Sequence, residues 1–167
     1  MAVPVQSLQI PHAPIRIQGN ANFTPENGVV GGSGTPDDPY VIAGWQIDAS
    51  ASNAIEIRDT SAPFVIRGVE VVRAGPGVIY YYAAYLANVS DAALRYVNAS
   101  AGISGFYVLR STNVSLDRVS VDSIPGVGFV GVQSRNLSVS NASFNGGVLS
   151  SPGRGSASFR TTHTKSW

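Results

Sequence analysis

The sequence predicts an all-β chain wound as a right-handed parallel β-helix, and three observations predict it. The stretch Gly105-Phe-Tyr-Val-Leu-Arg-Ser-Thr-Asn-Val-Ser-Leu116 returns as Gly128-Phe-Val-Gly-Val-Gln-Ser-Arg-Asn-Leu-Ser-Val139, with Asn113 and Asn136 separated by 23 residues. Self-similarity at such a step marks a repeat architecture. Each repeat reads apolar-x-apolar, two turn residues, apolar-x-apolar, a period of two that sends alternate side chains inward on short strands. The punctuating residues are Gly, Asn and Ser, which supply bends, and helical periodicity is absent.

Composition bounds what such a chain does. Its 167 residues suffice for one domain with a core. A formal net charge of +1 selects neither nucleic acid nor an anionic membrane. Only 13% of residues are charged, against 18 Gly and 10 Pro, as suits a turn-rich β protein. With no Cys, two His and one Met, disulfides and thiolate metal sites are excluded, and neither a metal nor another cofactor is expected. No apolar run spans a bilayer.

Taken in order, residues 1–39 read as an N-terminal cap, with a short strand at Ile15–Ile17 and turn-rich segments around Gly19 and Gly31–Pro39. Coils occupy 40–145. Tyr40, Phe64, Val89, Val114 and Leu137 start five of them and form one inward column; Trp45, Val69, Leu94, Val119 and Ala142 form a second. Asn88, Asn113 and Asn136 stack at a corner, where their amides can bond along the ladder. Gly44, Gly68 and Asn141 suit the bend between strands; Ala93 and Arg118 suit it less. Asp91 falls on an inward position, the one misfit in the pattern. Third strands precede the Asn corners at Ala54–Ile57, Tyr80–Ala84, Phe106–Leu109 and Phe129–Val132. Residues 146–167, rich in Gly, Ser and Pro, read as a disordered tail or a truncated end.

The segments Ile15-Arg-Ile-Gln-Gly-Asn-Ala-Asn-Phe23, Gly32-Ser-Gly-Thr-Pro-Asp-Asp-Pro-Tyr-Val-Ile-Ala-Gly-Trp-Gln-Ile47 and Ile55-Glu-Ile-Arg-Asp-Thr-Ser-Ala-Pro-Phe-Val-Ile66 resemble NosD-like right-handed parallel β-helix proteins over about residues 15–145. The resemblance implies the pectin-lyase-like architecture, shared by polysaccharide lyases, hydrolases and non-catalytic surface proteins. The copper role of the family's namesake calls for His, Cys and Met that this chain lacks.

Candidate sites follow from residue type. Acidic side chains are scattered and do not align across coils as the carboxylate pair of a glycosidase would. His12 lies in the cap and His163 in the tail, neither with a nucleophile partner. No catalytic residue is assigned. Six Asn-x-Ser/Thr sequons occur, at Asn22, Asn88, Asn98, Asn113, Asn136 and Asn141. Asn98, off the ladder, is the best acceptor among them. The sharpest feature is aromatic. If Leu109 and Val132 point inward, Tyr81, Phe106 and Phe129 stack on the outer face beside Tyr85, Arg110 and Gln133. Rings next to polar donors suit sugar binding.

The sequence therefore reads as a non-catalytic β-helix domain of a cell-surface or exported protein, for structural display or for binding a polysaccharide or another surface protein. The alternative is a carbohydrate-active lyase or hydrolase whose active site is incomplete in this chain.

Overall fold

A computed structural model describes residues 8–73, 81–100, 103–151 and 157–161; side chains are described within these except at 123–126 and from 146 onward. Among the described residues thirteen strands form one continuous sheet. They are β1 (Ile10–His12), β2 (Ile15–Gln18), β3 (Val29–Gly31), β4 (Tyr40–Ala43), β5 (Trp45–Asp48), β6 (Ile55–Thr60), β7 (Phe64–Val72), β8 (Tyr82–Ala99), β9 (Ser104–Leu109), β10 (Thr112–Asp117), β11 (Ser120–Val132), β12 (Arg135–Ser151) and β13 (Ala157–Thr161). All pairings are parallel except β3 with β4. The protein is a parallel β-solenoid of about four turns, against the five coils expected.

Each turn contributes three strand segments to three stacks. The first stack runs through Ile15, Ile55, Ala84, Phe106 and Phe129. The second runs through Tyr40, Phe64, Ala92, Val114 and Leu137. The third includes Val69 paired with Val97, and Val121 paired with both Ala99 and Phe144. Alternate residues of each stack lie in one buried cluster of Ile, Val, Leu, Phe and Ala. Parallel neighbours give every rung its hydrogen bonds from the rungs above and below.

Between the segments the chain turns through left-handed residues, and these also form columns. One holds Asp59, Asn88, Arg110 and Gln133, a second Asp91, Asn113 and Asn136, and a third Gly44, Gly68, Tyr96, Arg118 and Asn141, all with positive φ. Gly44 and Gly68 take that conformation without strain, and Asn and Asp tolerate it better than other residues do.

The central coil corrects the expected register by three residues. Ala92, not Val89, joins the Phe64 and Val114 column, and Val97, not Leu94, pairs with Val69. Asp91 is a corner residue at φ 54 beneath Asn113 rather than an inward misfit, and Tyr96, not Ala93, makes the following bend. Asn88 belongs to the other corner, where its amide donates to Asp59 Oδ1 at 2.9 Å.

The ladder starts earlier than the expected boundary at Tyr40. β1 pairs with β5 and β2 with β6, so residues 10–18 already form solenoid strands. The capping is done by the segment that follows. Phe23 stacks on Tyr40 with centroids 4.5 Å apart and tilts against Phe64 at 5.6 Å. Trp45 Nε1 donates to the Gly28 carbonyl at 2.8 Å. Asn20 Oδ1 accepts from Thr60 Oγ1, Ser61 N and Ala62 N. At the other end β12 pairs with β11 through Ser151 and with β13 through Thr161, which extends the ladder past residue 145.

Candidate functional site: a tyrosine cluster on the first stack

Phe106 and Phe129 do not lie on the outer face. They are 1% and 0% exposed and belong to the core, whereas Leu109 and Val132, expected to point inward, are only half-buried. Within a strand alternate residues share a face, so burying Phe106 also buries Val108 and turns Tyr107 and Leu109 outward. The expected equivalence of Tyr81 with Phe106 fails as well. The residue stacked beneath Phe106 is Ala84.

The outer column of the first stack is instead Arg16, Glu56, Tyr85, Tyr107 and Val130. Tyr85 is thus on the outer face as expected, and its companion is Tyr107. Their rings stack nearly parallel, 5.2 Å apart at 10°. That spacing follows the rise of about 4.8 Å between hydrogen-bonded strands. Tyr82, at the start of β8, leans against both, at 6.1 Å from Tyr85 and 5.1 Å from Tyr107. Its backbone N–H donates to Asn53 Oδ1 at 2.8 Å, which fixes where β8 enters the stack.

Below the rings lies an ordered polar group. Arg58 Nε donates to Glu56 Oε1 at 2.7 Å, and Asn53 Nδ2 donates to Glu56 Oε2 at 3.0 Å. The Arg58 guanidinium sits 4.9 Å from the Tyr85 ring centre, a cation–π contact. Arg16, Gln18, Asn22, Glu56 and Arg58 line a shallow groove of about 250 Å³ on this face. Tyr85 is therefore held between Arg58 on one side and Tyr107 on the other. The next position of the column is Val130, so the column steps down beside the far face of Tyr107. Burial of Tyr82, and then its neighbours Tyr107 and Tyr85, raise the pKa of its hydroxyl above the usual tyrosine value. At neutral pH it is a hydroxyl that donates as well as accepts.

The remaining expected residues take no part in these ring contacts. Tyr81 is exposed, and its carbonyl accepts from Ser104 N at 3.1 Å. Arg110 and Gln133 are neighbouring corner residues, joined by an Arg110 Nε to Gln133 Oε1 bond of 3.2 Å. His12 packs against Trp45 at 4.6 Å, and His163 lies outside the described residues. Asp59, Asp91, Asp117 and Asp122 each accept an amide hydrogen bond from an Asn of the next rung, which gives these scattered carboxylates a role in the ladders. Among the described residues no three His, Cys, Asp or Glu side chains gather in a way that could hold a metal ion. No helix there is long and apolar enough to cross a membrane.

Two features escaped the sequence reading. One is the Tyr82–Tyr85–Tyr107 cluster. Its signal was chemical: given a Phe and a Tyr on opposite faces of one strand, the phenol prefers the face where its hydroxyl meets water. The other is a buried serine ladder beneath the Ser-x-Asn motif. Ser111 Oγ accepts from Val89 N at 3.2 Å, and Ser134 Oγ accepts from Ser111 N at 3.0 Å. Each hydroxyl also donates to a carbonyl two residues earlier, of Leu109 and Val132.

No protein-family model, no curated protein and no solved structure matches this chain significantly.

Proposed function

We propose that this chain is a non-catalytic β-helix domain of an exported or cell-surface protein, one that binds a glycan on the outer face of the first stack. The observation that supports this is the outward Tyr85–Tyr107 column, flanked by Tyr82 and by the Glu56–Arg58–Asn53 hydrogen-bonded group. Protein sites that bind sugars combine aromatic faces for the apolar side of the ring with fixed donors and acceptors for its hydroxyls. Beyond Tyr107 the column continues with the smaller Val130. The tyrosine hydroxyls and the Arg58 guanidinium supply polar partners along the same column. The NosD-like resemblance of about residues 15–145 agrees with export, since such β-helices are common in microbial surface proteomes.

A glycan array followed by calorimetry with the best oligosaccharide tests this reading. Tyr107→Ala should weaken binding by about tenfold, as expected for loss of one well-packed aromatic contact. Tyr96→Ala, at a corner before the third stack and outside these ring contacts, should leave it unchanged. Binding that survives Tyr107→Ala and Tyr85→Ala at full strength would remove the site from this face.

A further inference from the structure

We infer that Asn98 is the N-glycosylation site of the folded domain, the one sequon of the six whose amide nitrogen has no hydrogen-bond partner among the described residues. The inference rests on the export proposed above and concerns a different face. Five sequon asparagines spend Nδ2 on the fold. Asn22 donates to the Gln18 carbonyl, Asn88 to Asp59, Asn113 to Asp91, Asn136 to Asn113 and Asn141 to Asp117, at 2.6 to 2.9 Å. Four of these five also sit at left-handed corners, stacked between rungs. A sugar on such an amide would have to share the gap between rungs, about 4.8 Å, with the ladder bond.

Asn98 differs on each count. It pairs with Glu70 below and Ser120 above in the third stack, its side chain is exposed, and its one hydrogen bond is accepted, not donated: Ser120 Oγ donates to Asn98 Oδ1 at 2.7 Å. That bond orients the amide, and among the described residues neither Nδ2 proton has an acceptor. Ser100, the hydroxyl residue of the sequon, is exposed two positions on, just beyond the end of β8. In the transfer, Asn98 Nδ2 bonds to the anomeric carbon of an oligosaccharide carried on a polyprenyl diphosphate. The carbon–oxygen bond to the diphosphate breaks, the lipid diphosphate leaves, and one amide proton passes to a base of the transferase. The third stack is not the stack that carries Tyr85 and Tyr107, so a glycan at Asn98 leaves the proposed binding face clear.

The test has two arms. Purified, folded chain is incubated with a single-subunit oligosaccharyltransferase and its lipid-linked donor, alongside chain unfolded in urea and diluted into the same mixture. The chain is also secreted from a eukaryotic host behind an added signal peptide, as wild type, Asn98→Gln and Ser100→Ala. Occupancy is read by mass spectrometry after enzymatic release in heavy-oxygen water, with folding checked by circular dichroism. The folded chain should carry one glycan, at Asn98; among secreted chains Asn98 should be the most fully occupied sequon of the wild type and empty in both variants, while the chain unfolded in urea accepts several. An unoccupied Asn98 in the folded chain, or equal occupancy at Asn113 or Asn136 in folded protein, would overturn the inference. The added signal peptide supplies export, so this failure is separate from failure of the surface-protein reading. Retained glycan binding by Asn98→Gln keeps the two sites distinct.

Discussion

At the scale of single residues, the repeated motif is a set of solutions to backbone problems. The bend at Ser111 takes Val89 N–H out of the regular ladder, and the Ser111 hydroxyl replaces the missing carbonyl. Substituting Ser111 by Ala leaves a buried N–H without its acceptor. The cost of an unsatisfied buried group is about 1–3 kcal/mol, so the denaturation midpoint should fall accordingly while the circular dichroism spectrum stays β. The glycine of the motif answers to close approach. A Cβ on Gly105 would overlap the Gly128 carbonyl, and one on Gly128 would lie 2.7 Å from Phe144 Cβ. The phenylalanine that follows each of them is core. Phe106→Ala and Phe129→Ala should each destabilise by about 3–5 kcal/mol, the range for buried Phe truncations. Neither should be read as a binding mutant, and a thermal melt unchanged by Phe106→Ala would contradict its burial.

At the scale of elements, the strand segments were legible and their register was legible in part. Tyr40, Phe64, Val114 and Leu137 do share a column, because apolar alternation on either side of Gly44, Gly68 and Asn141 leaves little choice. The slip at Asp91 has a physical cause. The turn holds two left-handed corners that precede a second-stack strand, and both accept Asn or Asp, so Asn88-Val-Ser reads like Asn113-Val-Ser although it occupies the other corner. What separates the corners is the buried residue before the second one, Ser in two coils but Val89 in the slipped coil. The inward face of the first-stack strands is ambiguous in the sequence for a related reason. In Phe106-Tyr-Val-Leu both faces are apolar or aromatic, so period two alone does not say which face is inside. The corner ladders themselves respond to acid. Hydrogen bonds from Asn141 and Ser140, with a further contribution from Arg118, hold the Asp117 carboxyl below its ordinary value of 3.8. A depressed carboxylate stabilises the fold above its unfolded pKa and loses that contribution as pH falls through its folded pKa. Asp117→Asn, which converts the pair to the Asn–Asn rung seen at Asn113 and Asn136, should therefore flatten the loss of stability below pH 3.8. Denaturant midpoints measured from pH 5 downward, for wild type and variant, would show parallel slopes if Asp117 contributed nothing.

At the scale of the whole molecule, a solenoid is held together between neighbours along one axis, and its ends carry the exposure that each interior rung avoids. The N-terminal end is closed by a small number of contacts: Phe23 over Tyr40 and Phe64, Trp45 Nε1 on Gly28, and the three-fold acceptor Asn20. Phe23 is buried, and replacing it by Ala removes the ring that covers the start of the second stack. The local loss should be about 3–5 kcal/mol if the cap does not collapse into the gap. Because contacts run rung to rung, that loss should not spread evenly. Amide exchange should rise most in Ile15–Gln18 and Tyr40–Ala43, less in Phe64–Val72, and least in Thr112–Asp117. The measurement is native-state hydrogen exchange resolved by peptide, wild type against Phe23→Ala, at a denaturant concentration well below the midpoint. A graded profile would show a stack that opens from its capped end. Equal acceleration across all four segments would show instead that the coils unfold as one cooperative unit, and that the cap stabilises the entire core rather than the edge it covers.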